Sequence, residues 1–251
     1  MQFCCLGSGS KGNSTLVRHR QTLLMVDCGF SMKYTVASLA QKGCSAGDIS
    51  AILVTHEHSD HIAGVSTLAR RFNIPVYATP GTGRSHKLDR DIDIRWLELD
   101  EEVAVGDLSF CPVAVPHDAN EPCQFVFQGA GKKLGILTDL GSVSDHVVAR
   151  FANCHALLLE ANHDLELLWA GPYPPSLKQR VAGDWGHLSN AQAADFLTRQ
   201  SLAQLNTLVL GHISEQNNSL DRVRAHFFPY ESQLSQVVYA TQASGFDWLE
   251  V

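Results

Sequence analysis

A chain of 251 residues that is 45% hydrophobic and 18% charged has enough apolar material for a sizeable core, and its composition is not that of a disordered protein. Its net charge of −7 excludes a general-purpose nucleic-acid binder, whose affinity comes from neutralising phosphates with Lys and Arg. Bound divalent cations would offset that charge locally, so a phosphate-bearing substrate stays open.

The opening MQFCCLGSGS has no basic segment followed by an apolar stretch and a cleavage site, so no secretory leader is expected. No apolar run reaches the ~20 residues of a membrane helix. The cysteines, Cys4, Cys5, Cys28, Cys44, Cys111, Cys123 and Cys154, are odd in number and form no C-x-x-C pair. Reduced thiols in a cytoplasmic protein without a membrane partner are expected.

In chain order, residues 2–6 are apolar and β-prone, 7–12 (GSGSKG) form a turn, and 15–18 and 22–26 (TLLMV) are strands, giving a β-meander that ends at Asp27-Cys28-Gly29. Residues 34–42 read as a helix that stops near Gly43. The continuous apolar run 51–55 (AILVT) suits a strand buried on both faces. A helix at 64–72 and a strand at 75–78 follow. Further strands are expected at 108–115, 123–128, 133–138, 156–160, 207–210 and 236–240. Further helices are expected at 142–150, 165–169, 189–200 (with Ser189 or Asn190 as N-cap) and 221–226. Trp169 with residues 171–175 (GPYPP) reads as a Pro-stiffened surface loop, or as a loop over the cleft whose aromatics stack on a base. The pattern implies two sheets stacked face to face with helices outside, in one domain spanning 1–251.

Chemistry-bearing residues recur just after apolar strands: His56, His117, Asp139, Glu160 and His212. Strand-end loops on a rigid scaffold can converge on one cleft. The densest case is His56-Glu57-His58-Ser59-Asp60-His61. In an extended segment alternate side chains point the same way, so His56 and His58 can grip one metal. The turn that follows presents Asp60 and His61 toward a second position. Imidazole and carboxylate suit zinc, manganese or iron, and the absence of thiolates argues for a catalytic site with an open position rather than a closed structural one. His117 (VPHDAN), Asp139 (TDLG) and His212 (GHISEQNN) supply the missing ligands.

The run THEHSDH with His117, Asp139 and His212 resembles the signature of the metallo-β-lactamase superfamily. LGSGSKGNS, VDCG, LLLEANHD, GDWGHLSN and GHISEQNN are similar to the YycJ/WalJ/VicX-type subfamily of bacterial cytoplasmic hydrolases. The resemblance implies an α/β, four-layer αββα sandwich with two divalent ions at one edge of the sheets, zinc or manganese with iron as a third option. It implies His56, His58 and His117 on the first ion, Asp60, His61 and His212 on the second, and Asp139 bridging. It also implies a phosphodiester hydrolase using a metal-activated hydroxide, with His187 protonating the leaving oxygen alongside the motif aspartate Asp60.

Asn13 and Ser14 end a glycine-rich turn that would place backbone N–H groups against a phosphate or simply close a hairpin. Asn217 and Asn218 are candidates for substrate contact. Asp27 is expected to tie backbone groups together and is a supporting candidate beside the ligands; Glu160, Asn162 and His163 are candidates for orienting the ligands, because a ligating imidazole needs a partner for its other nitrogen.

Fold does not fix substrate. Subfamily resemblance favours DNA and a 5′-to-3′ exonuclease, although Arg84, Lys87, Arg90, Arg95, Lys178, Arg180 and the other basic residues are scattered. A small cyclic phosphodiester is the alternative, followed by a glyoxalase II-type thioester. The number of subunits is not legible.

Overall fold

The structure, a computed structural model, describes residues 1–251. Two seven-stranded sheets pack face to face. The first contains β1 (Gln2–Gly7), β2 (Ser14–His19), β3 (Thr22–Val26), β4 (Ala51–Leu53), β5 (Val76–Ala78) and β6 (Ile94–Trp96). The second contains β7 (Val103–Val105), β8 (Leu108–Ala114), β9 (Cys123–Gly129), β10 (Lys132–Leu137), β11 (Ala156–Glu160), β12 (Thr207–Gly211) and β13 (Gln236–Tyr239). The last strand, β14 (Phe246–Glu250), returns to the first sheet beside β1. Each sheet is half antiparallel meander and half parallel: β3 to β6 run parallel in one and β10 to β13 in the other.

Nine α-helices cover the outside: α1 (Met32–Gln41), α2 (Ser59–Ile62), α3 (Val65–Phe72), α4 (Pro80–Arg84), α5 (Asp145–Arg150), α6 (Leu165–Ala170), α7 (Pro175–Ala182), α8 (Asn190–Thr198) and α9 (Leu220–Glu231). The parallel strands need crossovers, and helices supply them. None of these helices is long and apolar enough to cross a membrane.

Three apolar clusters make the four layers. Phe3, Leu24, Leu53, Phe110, Phe125, Phe127 and Leu158 interdigitate between the sheets. Ile52, Leu39 and Leu68 join the first sheet to α1 and α3. Leu157, Phe151, Phe196 and Phe227 join the second to α5, α8 and α9. Alternation along β4 and β11 sends neighbouring residues to opposite layers, which is why both strands read as continuous apolar runs. The αββα expectation therefore holds. All seven cysteines are unpaired.

The departures are local and physical. β4 stops at Leu53 because the Thr55 amide turns to Asp27 Oδ1 at 2.8 Å to begin the histidine loop. The helix expected at 142–150 starts only at Asp145, capped by Ser144. The last helix runs to Glu231 with Pro229 inside it. The 171–175 loop passes into α7 at Pro175, where proline suits the first turn. The edge strands β6, β7 and β14 were not expected: they are short or mostly half-exposed, so no apolar run marks them.

Phe125 is fully buried between the sheets. Phe125→Ala should lower unfolding stability by about 3–5 kcal/mol, read as a fall in the urea midpoint.

Candidate metal centre

Strand ends of both sheets deliver the site. The loop after β4 carries His56, His58, Asp60 and His61; the loops after β8, β10 and β12 carry His117, Asp139 and His212; Glu160 is the last residue of β11. Asp27, Asp139 and His212 all have positive φ (59°, 53° and 52°), a conformation that costs non-glycine residues energy and persists where the surroundings enforce it.

The enforcement comes from cross-links between loops. Asn13 N donates to Asp60 O (2.8 Å) and Cys28 N to His61 O (2.8 Å). Ser8 Oγ accepts from His212 N (2.8 Å). Gly29 is needed for this approach, since a Cβ there would stand 1.7 Å from Asp60 O.

Four histidines have Nδ1 engaged by an acceptor. His61 Nδ1 meets Asp27 Oδ2 at 2.8 Å, His117 Nδ1 meets Gly186 O at 3.0 Å, and His212 Nδ1 meets Glu160 Oε1 at 2.7 Å. His56 Nδ1 meets Thr55 Oγ1 at 3.0 Å, and that hydroxyl donates onward to Asp27 Oδ2 at 2.8 Å. A carbonyl or ionised carboxylate only accepts, so the proton sits on Nδ1 and the Nε2 lone pair faces inward. His58 is the exception: its Nδ1 lies 3.3 Å from His117 Nε2, while its Nε2 turns toward Asp118, 3.7 Å away.

The inward atoms form sets small enough to hold a cation. His56, His58 and His117 make one, with donor atoms within 4.8 Å of each other; Asp60, His61 and His212 make another; Asp139 joins His56 and His61 in a third. His56 Nε2 and Asp139 Oδ2 are buried with no hydrogen-bond partner. An unsatisfied buried polar atom is costly, and a divalent ion resolves that cost, so the residues present fit two ions.

Without ions, protons take up the charge that cations would supply. Burial and the charge on His61 push His56 well below the usual imidazole range. Burial alone would raise Asp139, but the positive charges of His212 and His61 hold it well below the carboxylate range. Against burial, Asp139 and Asp27 raise His61 well above its ordinary value. Asp139 and Glu160 likewise lift His212 to about 9. Burial would raise Glu160 too, yet His187 and His212 hold it at about 2.

A cleft of about 380 Å³ opens over these donors, lined by His58, Asp60, Asp139, His187 and His212 among others. His187 is part-exposed there, and its Nδ1 meets Glu160 Oε1 at 2.9 Å. The carboxylate against His187 is thus Glu160 rather than Asp60. Gly141 and Gly186 let the Asp139 and His187 loops touch: a Cβ on Gly141 would lie 2.3 Å from Gly186 N.

Asp27 lies against His61 and Glu160 against His212, pairings that the sequence did not specify. Asn162 lines the cleft and fixes the His212 carbonyl through Nδ2 (3.0 Å). Asn217 lines the cleft with a buried, unpartnered Oδ1.

Four residues depart from expectation. Asn13 turns inward: Oδ1 accepts from Gly9 N (2.8 Å), and Nδ2 reaches Gly9 O (3.1 Å) and His61 Nε2 (3.0 Å). Ser14 is buried in β2. Gly9 and Ser10 line the cleft in their stead, so the glycine-rich turn braces the site. Asn218 spends its amide on Ala161 O, Asn162 O and Asn190. His163 is buried with neither nitrogen bonded, so it orients no ligand.

Sequence reasoning missed Thr55, which links His56 to Asp27, and Asp118, which lies near His58 and His117. Adjacency to His56 and His117 was their only signal.

A β-lactamase superfamily domain matches residues 22–213. The chain belongs to that superfamily. Within it, the chain is 36% identical over 228 residues to exodeoxyribonuclease YycJ of Bacillus anthracis, covering 89% of this chain and 86% of the relative. It is 36% identical over 223 residues to exodeoxyribonuclease WalJ of Streptococcus pneumoniae, covering 86% and 83%. The YycJ/WalJ branch is therefore its family. Among solved structures, Zn²⁺-bound PqqB of Methylobacterium extorquens superposes over 100% of both chains with a TM-score of 0.73 at 19% identity, a likeness of fold.

A raised histidine stabilises the folded state fully below its unfolded value and loses that contribution as pH rises through its folded one. In chelator-treated protein, the His212 contribution should therefore decline between pH 6.5 and about 9. Urea midpoints across that window should fall for wild type and stay flatter for His212→Gln; equal slopes would remove the proton from His212.

Proposed function

We propose that the chain is a dinuclear metal-dependent phosphodiester hydrolase, acting in the cytoplasm as a 5′-to-3′ DNA exonuclease. The observation that carries the reading is the pair of donor sets beneath an open cleft. The 36% identity to two proteins named exodeoxyribonucleases supports the choice of DNA.

His56 Nε2, His58 Nδ1 and His117 Nε2 would hold one ion and Asp60, His61 and His212 the other, with Asp139 shared. Zinc and manganese suit this nitrogen–oxygen set, and iron is the third candidate. Such a pair, when bound, polarises a phosphoryl oxygen and acidifies a water toward neutrality.

The chain's own residues do the rest. Glu160 keeps the His187 proton on Nδ1, presenting Nε2 to the cleft. In its doubly protonated form His187 donates from Nε2 to the departing oxygen, the role of a general acid. By gripping His212 as well as His187, Glu160 keeps ligand and acid in one register. Asp60 stands beside the cleft with a carboxylate able to take a proton from the attacking water. Gly9 and Ser10 close one wall.

The cleft volume of about 380 Å³ also suits a small cyclic phosphodiester, which is the second reading.

The test is a product assay on 5′-phosphorylated, 3′-labelled duplex DNA with Mn²⁺. Wild type should shorten the labelled strand progressively, releasing mononucleotides, and chelation should stop it. Asp139→Ala should abolish the reaction, and His187→Ala should slow it roughly 100- to 10,000-fold. Intact DNA from protein carrying two metals would sink the exonuclease and move the search to cyclic phosphodiesters.

A further inference from the structure

Helix α7 is unusual among the elements around the cleft because it buries none of its residues. It contributes nothing to the three apolar clusters, so core packing does not account for its presence. Leu177, Arg180 and Val181 are spaced i, i+3 and i+4, which places them on one helix face. All three line the cleft, together with Tyr173 from the turn before the helix. The wall thus combines three aliphatic or aromatic side chains with one cation.

Arg180 is held in place without being used up. It donates through Nε to Asp118, whose other oxygen lies 3.6 Å from His117 Nε2 and 3.7 Å from His58 Nε2. The two terminal nitrogens stay available to another acceptor. Lys87 is the other cation lining the cleft, anchored by Nζ to the carbonyl of Glu57 at 2.9 Å. In an acidic chain, these two cations are what an anionic substrate meets beyond the donor sets.

An aromatic and aliphatic shelf beside a guanidinium is the combination by which proteins hold an unpaired nucleotide, with the base on the shelf and the phosphate on the cation. We propose that α7 with Tyr173 is the specificity wall of the site: Tyr173, Leu177 and Val181 take the base of an unpaired terminal nucleotide, and Arg180 takes a phosphate of the same strand. The proposal rests on the phosphodiesterase reading. It adds that a strand end enters the cleft one nucleotide at a time, in keeping with a volume suited to a single small ligand. It also explains how an acidic protein without a basic stripe acts on nucleic acid.

The test compares two phosphodiesters with the metal-loaded full chain: 5′-phosphorylated DNA with an unpaired 5′ end, and methyl p-nitrophenyl phosphate, which has neither base nor second phosphate. Arg180→Ala and Tyr173→Ala should each lower kcat/KM on DNA roughly 10- to 100-fold and lower it much less on the small diester. Arg180→Lys should recover part of the loss on DNA, because it restores the charge without the planar fork.

Equal losses on both substrates would mean that α7 only supports the metal centre and would overturn the wall. Unchanged DNA turnover would overturn it as well. Wild type that cleaves the small diester but not DNA would remove the nucleotide as occupant while leaving the hydrolase standing. Wild type that cleaves neither would overturn the hydrolase reading and the wall with it.

Discussion

Four imidazoles share a buried space because each has its Nδ1 occupied by an acceptor outside that space. Asp27, Thr55, Gly186 and Glu160 hold His61, His56, His117 and His212 in one tautomer and one orientation. His61 then turns Nε2 toward Asp139 Oδ2 at 3.4 Å, while Asp139 Oδ1 lies 3.2 Å from His212 Nδ1. Without ions this is a cluster of buried donors, two of them unpartnered, and nothing in apolar packing would gather such groups. The rest of the fold serves to keep them together: two rigid sheets, strand ends at one edge, and loops tied to each other by backbone hydrogen bonds.

That dependence explains features with no chemistry of their own. The glycine-rich turn after β1 ties loops together. Ser8 and Asn13 brace the His212 and Asp60–His61 loops, so the turn belongs to the scaffold of the site. Gly29, Gly141 and Gly186 stand where loops touch too closely for a Cβ. The positive φ values at Asp139 and His212 are local costs carried by the same cross-links, and bound ions would return that cost as affinity.

Glu160 links the two halves of the site. One oxygen meets both His212 and His187, and the other accepts the amides of Leu188 and Leu140. A single carboxylate at the end of β11 therefore sets the orientation of a donor histidine and of the proposed acid. The proposed substrate wall lies elsewhere, on α7, a helix outside the three apolar clusters. A superfamily with many substrates on one fold is the expected result of that division.

The sequence by itself determined the fold class and brought forward the residues proposed as metal donors. Strands buried on both faces read as unbroken apolar runs, and three histidines and an aspartate within six positions (56 to 61) have little meaning other than a metal. Only the tertiary structure decided which nitrogen each histidine presents, because Nδ1 partners such as Asp27 and Glu160 lie 34 and 52 positions away. It also decided that Asn13, Ser14 and Asn218 turn inward: a polar residue in a loop looks the same in sequence whether its amide meets substrate or backbone. The pairing of Arg180 with Asp118 across 62 positions was illegible for the same reason. Ligand types follow from local chemistry, while orientation and substrate walls follow from contacts that the chain makes only when it is folded.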